Sequence, residues 1–194
     1  MSKLYFSYAA MNAGKSTVLL QASYNYEERG MRSLLFTSAL YAETEEGRIT
    51  SRIGISAGAL LYGETDDLHA WINREHRKKK VDCVFVDEAQ FLTKQQVWQL
   101  ARVADRLGIP VLCYGLRTDF RGDLFPGSAV LLGIADSLVE LKGVCHCGRK
   151  ATMNLRVGAD GLAVRAGAQT EVGGNERYVA LCRRHFSEAL GHTT

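Results

Sequence analysis

No run of about 18 apolar residues occurs in this chain of 194 residues. Nor does a charged and then apolar leader follow Met1, since Met1-Ser2-Lys3 runs straight into the strand-like Leu4–Tyr8. Neither a membrane-spanning helix nor a secretory leader is expected, and the protein is predicted to be cytoplasmic. Net charge is also small. At +3 it makes no case for nucleic acid. The one basic cluster, Arg77-Lys78-Lys79-Lys80, closes a helical pattern and is read as a solvated helix end that complements the helix dipole. Cysteine is scarce and odd in number, five in all, which in a reducing compartment argues for free thiols or metal ligands over disulfides. Internal repeats and low-complexity linkers are missing as well. What remains is 46% hydrophobic and 23% charged residues, the balance of a folded globular chain of one domain with room for a small appendage.

From Leu4 to about Lys142, short apolar runs alternate with longer amphipathic ones, the pattern of a parallel sheet covered by helices and hence of an α/β fold. The strand candidates are Leu4–Tyr8, Ser33–Thr37, Cys83–Val86, Val111–Tyr114 and Ser137–Leu141. One helix is predicted from Lys15 to about Arg29, stopped by Gly30; another starts after the N-cap Thr93 and ends at Gly108-Ile109-Pro110. A third runs from Asp66 to about Lys79. After Lys142 the texture turns to short β-prone pieces, with Ala159-Asp160-Gly161 reading as a hairpin turn between Met153–Val157 and Leu162–Arg165. The glycine-rich 166–175 stretch reads as a working loop. The domains are set at 1–142 and 143–194.

The segment Ala9-Ala10-Met11-Asn12-Ala13-Gly14-Lys15-Ser16-Thr17 follows an apolar strand and opens a helix, the place of a Walker A loop. Gly14 permits the tight turn, and successive N–H groups face the phosphates. Lys15 neutralises their charge and Ser16 offers a hydroxyl to Mg²⁺. Ala9 stands where the first glycine of the pattern is usual. A second strand, Val84-Phe85-Val86, ends in Asp87-Glu88, the layout of a Walker B segment, so that Asp87 reaches Mg²⁺ and Glu88 is free to act as a base. These motifs alone leave open whether Glu88 activates water or a substrate hydroxyl. Cys145, Cys147, Cys182 and His185 form a set suited to structural Zn²⁺, with His146 as a competing ligand, whereas Cys83 and Cys113 sit inside apolar strands as core.

With these stretches, together with Tyr114-Gly115-Leu116-Arg117-Thr118-Asp119-Phe120-Arg121 and Gly173-Gly174-Asn175-Glu176-Arg177-Tyr178, the chain resembles the type II thymidine kinases, above all the bacterial ones, over nearly its whole length. The resemblance implies a RecA-like P-loop domain, a zinc-held lasso, and transfer of the γ-phosphoryl group of ATP to thymidine. Glu88 would take the proton of the 5′-hydroxyl, and Gln90 would join Asp87 and the 9–17 loop in binding ATP and Mg²⁺. Phe91, Leu116, Phe120, Phe125 and Tyr178 would line the nucleoside pocket, with ordinary core packing as the competing account and the better one for Phe125. Backbone groups of Gln169, Thr170, Glu171, Val172, Gly173 and Gly174 would pair with the edge of thymine, rejecting bases with the wrong donor pattern. A homotetramer inhibited by dTTP is implied too.

One departure stands out. Where the family carries Asp-x-Arg after its second strand, this chain reads Tyr41-Ala42-Glu43. Arg48 or Arg52 is a hypothetical substitute for the missing guanidinium; if Arg48→Ala and Arg52→Ala each leave turnover unchanged, neither fills that role. Two other readings compete with the kinase: a nucleic-acid-stimulated ATPase with a zinc ribbon, and a catalytically weakened nucleotide-binding member.

Overall fold

The structure, a computed structural model, describes residues 2–41, 47–170 and 177–191. In chain order the first elements are β1 (Leu4–Ala9), α1 (Lys15–Glu27), β2 (Ser33–Ser38), β3 (Arg48–Thr50), β4 (Ser56–Gly58), β5 (Leu60–Tyr62), α2 (Leu68–Lys78) and β6 (Cys83–Val86). There follow α3 (Lys94–Arg102), β7 (Val111–Leu116), α4 (Pro126–Ile134), β8 (Ser137–Glu140), β9 (Gly143–Val144), β10 (Lys150–Ala151), β11 (Met153–Arg156), β12 (Tyr178–Leu181) and α5 (Arg183–Ala189).

Six strands form one sheet in the order β5-β2-β6-β7-β1-β8, with every neighbouring pair parallel. Such a sheet must be covered on both faces, so an inner strand can be apolar along its whole length, as β6 is. All of Cys83-Val84-Phe85-Val86 is buried. Cys83 and Phe85 pack with Leu19 and Leu20 of α1 on one face, while Val84 and Val86 pack with Ile72 of α2 and Leu100 of α3 on the other. Cys83 and Cys113 are thus core residues, and burial pushes the Cys83 thiol up to about 12. No helix among the described residues is long and apolar enough to cross a membrane.

The helix signals act as local chemistry requires. Thr93 and Gln96 form a reciprocal capping box, with Gln96 N donating to Thr93 Oγ1 at 3.1 Å and Thr93 N to Gln96 Oε1 at 3.0 Å. Beyond Arg102 the helix continues as a π-helical turn, Val103–Leu107, and stops at Gly108. Asp67 caps α2, whose last turn carries His76, Arg77 and Lys78, and Arg77 to Lys80 are exposed as a solvated helix end.

Past β8 the strands are short and pair among themselves, β9 with β10 and β11 with β12. They share a small core of Cys145, Ala151, Leu155, Leu181, Cys182, Phe186 and Leu190. The turn at Ala159-Asp160-Gly161 exists, closed by Gly158 N to Leu162 O at 2.8 Å, but Leu162–Arg165 forms no strand and meets β11 only through the bridge Val157↔Ala163. The regular partner of β11 is β12. Helices α4 and α5 and the β3–β4 hairpin were not anticipated.

Candidate active site

Because β1, β6 and β7 are parallel, the segments leaving them emerge at one edge of the sheet, where ligands of open α/β folds bind. Residues 10–14 turn over the end of β1 through two left-handed positions, Asn12 (φ 64°) and Gly14 (φ 80°). Asparagine and glycine are the residues that adopt this geometry readily, and it turns successive N–H groups inward as an anion nest. Ala9 is still strand, and its φ is not positive, so the missing first glycine leaves no strain. Lys15 folds back to donate to Ala10 O at 3.1 Å. Burial draws its ammonium below the ordinary value, while Glu88 and Asp87 push the other way.

Across the sheet edge, Ser16 Oγ donates to Asp87 Oδ2 at 2.9 Å, bringing the two sequence motifs into contact. Burial, and then the adjacent Glu88, push the Asp87 carboxyl up to about 7, with the Ser16 hydrogen bond opposing. A half-buried hydroxyl beside a buried carboxylate suits a hard divalent cation such as Mg²⁺, which takes oxygen ligands. Glu88 has a left-handed backbone (φ 52°, ψ 37°), a costly state for a residue with a Cβ. Its amide donates to Asp87 Oδ1 at 3.1 Å, and its carbonyl accepts from Tyr62 Oη at 2.8 Å and Phe91 N at 3.1 Å. The side chain accepts a hydrogen bond from Gln90 Nε2. Gln90 is buried, and its Oε1 accepts from Leu116 N at 3.0 Å, so its amide orients Glu88 against β7.

Close packing supports this turn. A Cβ at Gly127, at the start of α4, would lie 2.6 Å from Ala89 O and 2.7 Å from Leu92 O, so only glycine lets the helix approach. Ser128 Oγ donates to Leu116 O at 2.5 Å. Phe91 and Phe125 meet edge to face with centroids 5.7 Å apart; Phe125 and Phe120 are buried, whereas Phe91, Leu116 and Tyr178 are half-buried. Phe120 rides on a loop organised by the buried Asp119, whose Oδ1 accepts from Arg121 N at 2.9 Å and Asp123 N at 3.0 Å. The guanidinium of Arg156 stacks on the Phe120 ring at 3.8 Å and donates to Ala168 O at 3.3 Å. Gln169 and Thr170 are half-buried, and Gln169 Nε2 donates to Leu124 O at 3.4 Å. Glu171, Val172, Gly173 and Gly174 lie outside the described residues, as do Ala42 and Glu43. Arg48 donates to Ser56 Oγ at 2.8 Å across its hairpin, and Arg52 is exposed in the turn.

The second cluster forms as expected. Ligand atoms of Cys145, Cys147, Cys182 and His185 all lie within 4.8 Å of one another. His185 Nδ1 is 3.4 Å from Cys145 Sγ and 3.6 Å from Cys182 Sγ, and the sulfurs of Cys147 and Cys182 are 3.9 Å apart. A tetrahedral Zn²⁺ with bonds of about 2.3 Å to sulfur and 2.0–2.1 Å to nitrogen gives edges of roughly 3.5–3.8 Å, so the cluster could hold zinc. The Cys145 thiol is held down to about 5; burial opposes this, and hydrogen bonds from Cys147, His185 and Cys182 outweigh it. Glu188 Oε2 stands 3.9 Å from His185 Nε2, on the side of the ring away from the cluster. His146 stacks on the His185 ring, centroids 4.3 Å apart, beside the four-residue set.

Sequence reasoning missed Tyr62, Asn154, Arg156 and Gly127, which reach the site from distant parts of the chain without a local motif. Comparison with known proteins gives a consistent result. The family described as "Thymidine kinase" matches residues 2–186. A protein named Thymidine kinase from Novosphingobium aromaticivorans is 68% identical, over 98% of this chain and 100% of its own. Namesakes from a Jannaschia species and from Rhizobium meliloti are 61% and 60% identical, each over 98% of both chains.

Proposed function

The chain belongs to the thymidine kinase family, and from that premise we propose that it transfers the γ-phosphoryl group of ATP to the 5′-hydroxyl of thymidine, with Glu88 as base. The observation that carries this reading is the fixed placement of Glu88 beside Asp87, Ser16 and Lys15 at the sheet edge. Phosphoryl transfer asks little covalent chemistry of the protein and much positioning and charge neutralisation. Amides of the loop beyond Met11 would cradle the phosphates, and Lys15 would offset their charge. Ser16 and Asp87 would hold Mg²⁺, which would supply neutralisation of the charge on the phosphates. Gln90 holds one Glu88 oxygen and leaves the other to accept the proton of the attacking hydroxyl.

Phe91, Leu116, Phe120, Phe125 and Tyr178 would supply apolar walls for the base, the four rings among them flat like the base itself, and the 169–174 segment would read its polar edge. Zinc on Cys145, Cys147, Cys182 and His185 would pin the 143–194 unit, whose own core is small. A cytoplasmic homotetramer fits the exposed Leu138 and Val139 on the edge strand β8, a surface that a second copy would cover. Inhibition by dTTP would follow if the triphosphate ran from the nucleoside pocket to the phosphate loop.

The test is to incubate the protein with Mg-ATP and thymidine and follow dTMP and ADP together. Equal amounts of the two are expected, with no ADP when thymidine is omitted. ADP formation independent of thymidine, stimulated by DNA or RNA, would instead establish the ATPase reading.

A further inference from the structure

We infer that Asn154 is a positioning residue for the phosphate loop, a tether that β11 extends to the turn that meets ATP; this rests on the reading of that loop as a nucleotide site. Along β11, side chains alternate between two faces. Leu155 belongs to the small core, with Met153 packed against it, whereas Asn154 and Arg156 face the other way. Asn154 is only 2% exposed. Its Oδ1 accepts from Met11 N at 2.7 Å, and its Nδ2 donates to Thr118 O at 3.1 Å. One amide therefore clamps the phosphate loop to the segment after β7, at a sequence separation of 143 residues from Met11.

The position of Met11 gives the contact its meaning. It lies between Ala10, whose carbonyl accepts from Lys15, and Asn12, where the chain turns left-handed. The N–H groups available to an anion follow that turn, while the Met11 N–H is drawn aside to Asn154. Asn154 thus fixes the shape of the nest without touching what fills it. Without the tether, the Met11 peptide loses its partner and ATP must order the loop as it binds, which lowers affinity. Arg156, two residues on, serves the opposite end of the site through Phe120 and Ala168. One face of one strand therefore addresses the phosphate and nucleoside halves separately.

This separation makes the test. Mg-ATP binding to the full chain, supplied with zinc, is measured by calorimetry without nucleoside, and the KM for thymidine by steady-state assay. Asn154→Leu is expected to raise the Kd for ATP about tenfold, the equivalent of one lost buried hydrogen bond. Asn154→Ser, too short to reach Met11, should do the same and covers the case in which the leucine variant does not fold. Arg156→Gln should instead raise the KM for thymidine and leave the ATP Kd within about twofold. The inference is overturned if both Asn154 variants bind ATP like the unaltered protein, or if Arg156→Gln weakens ATP as much as they do, since generic loosening would do that. Unaltered protein that binds ATP yet makes no dTMP would refute the thymidine reading while the Asn154 comparison still stands.

Discussion

Glu88→Gln is expected to cut dTMP formation by a factor of about 10²–10⁴, the range for loss of a general base, while ATP binding stays close to that of the unaltered protein. The substitution keeps size and shape, so the left-handed turn, held by Asp87, Tyr62 and Phe91, should persist. It also keeps an oxygen for the Gln90 amide to donate to. What it removes is the capacity to accept a proton. Single-turnover measurement separates chemistry from binding, and a rate within a few fold of normal would show that the hydroxyl loses its proton elsewhere. Asp87→Asn makes a useful contrast, since by the same reading it weakens Mg-ATP binding itself.

Removing the metal should have an effect of comparable size by another route. Among the described residues, the unit beyond β8 has a core of only seven that are buried, two of them the proposed ligands Cys145 and Cys182. Structural zinc binding contributes an apparent 10–16 kcal/mol, roughly, in isolated zinc fingers, more than such a core supplies. Chelation, or Cys182→Ser, is therefore expected to expose the amides of β11 and β12 to rapid hydrogen exchange and to abolish thymidine phosphorylation. Exchange in β6 and β7, at the centre of the sheet, should change far less. If verified loss of zinc left both exchange and turnover untouched, the cluster would have no structural role. Loss of activity with unchanged exchange would point to a direct part in the chemistry.

The sequence conveyed those parts of the site that are local in the chain. The 9–17 loop, Asp87-Glu88, the Cys145/Cys147 pair and the Cys182/His185 pair are short runs whose residue types already state their chemistry, and the buried strands β6 and β7 announce themselves as apolar runs. Helix α4 gave no amphipathic signal, because Pro126–Ile134 is apolar nearly throughout and contains two glycines, one of them fixed by contact with the Ala89 and Leu92 carbonyls. The partner of β11 was misread because the nearest β-prone piece follows a genuine turn, whereas β12 returns only after the long 157–177 connection. Tyr62, Asn154 and Arg156 act through contacts made only in the folded chain, and no spacing rule marks them.

The strand that launches the phosphate loop has no early neighbour. β1 pairs only with β7 and β8, Leu4 with Val111 and Tyr5 with Ser137, so it has no strand of this sheet to hydrogen-bond to until more than a hundred further residues have been made. At about 5–20 residues per second, the wait between Leu4 and Val111 is on the order of 5–20 s. The turn after β1 is therefore seated on the sheet long after its motif is translated, and a truncated product ending before β7 would carry the whole Walker A sequence with β5, β2 and β6 paired but no neighbour for β1.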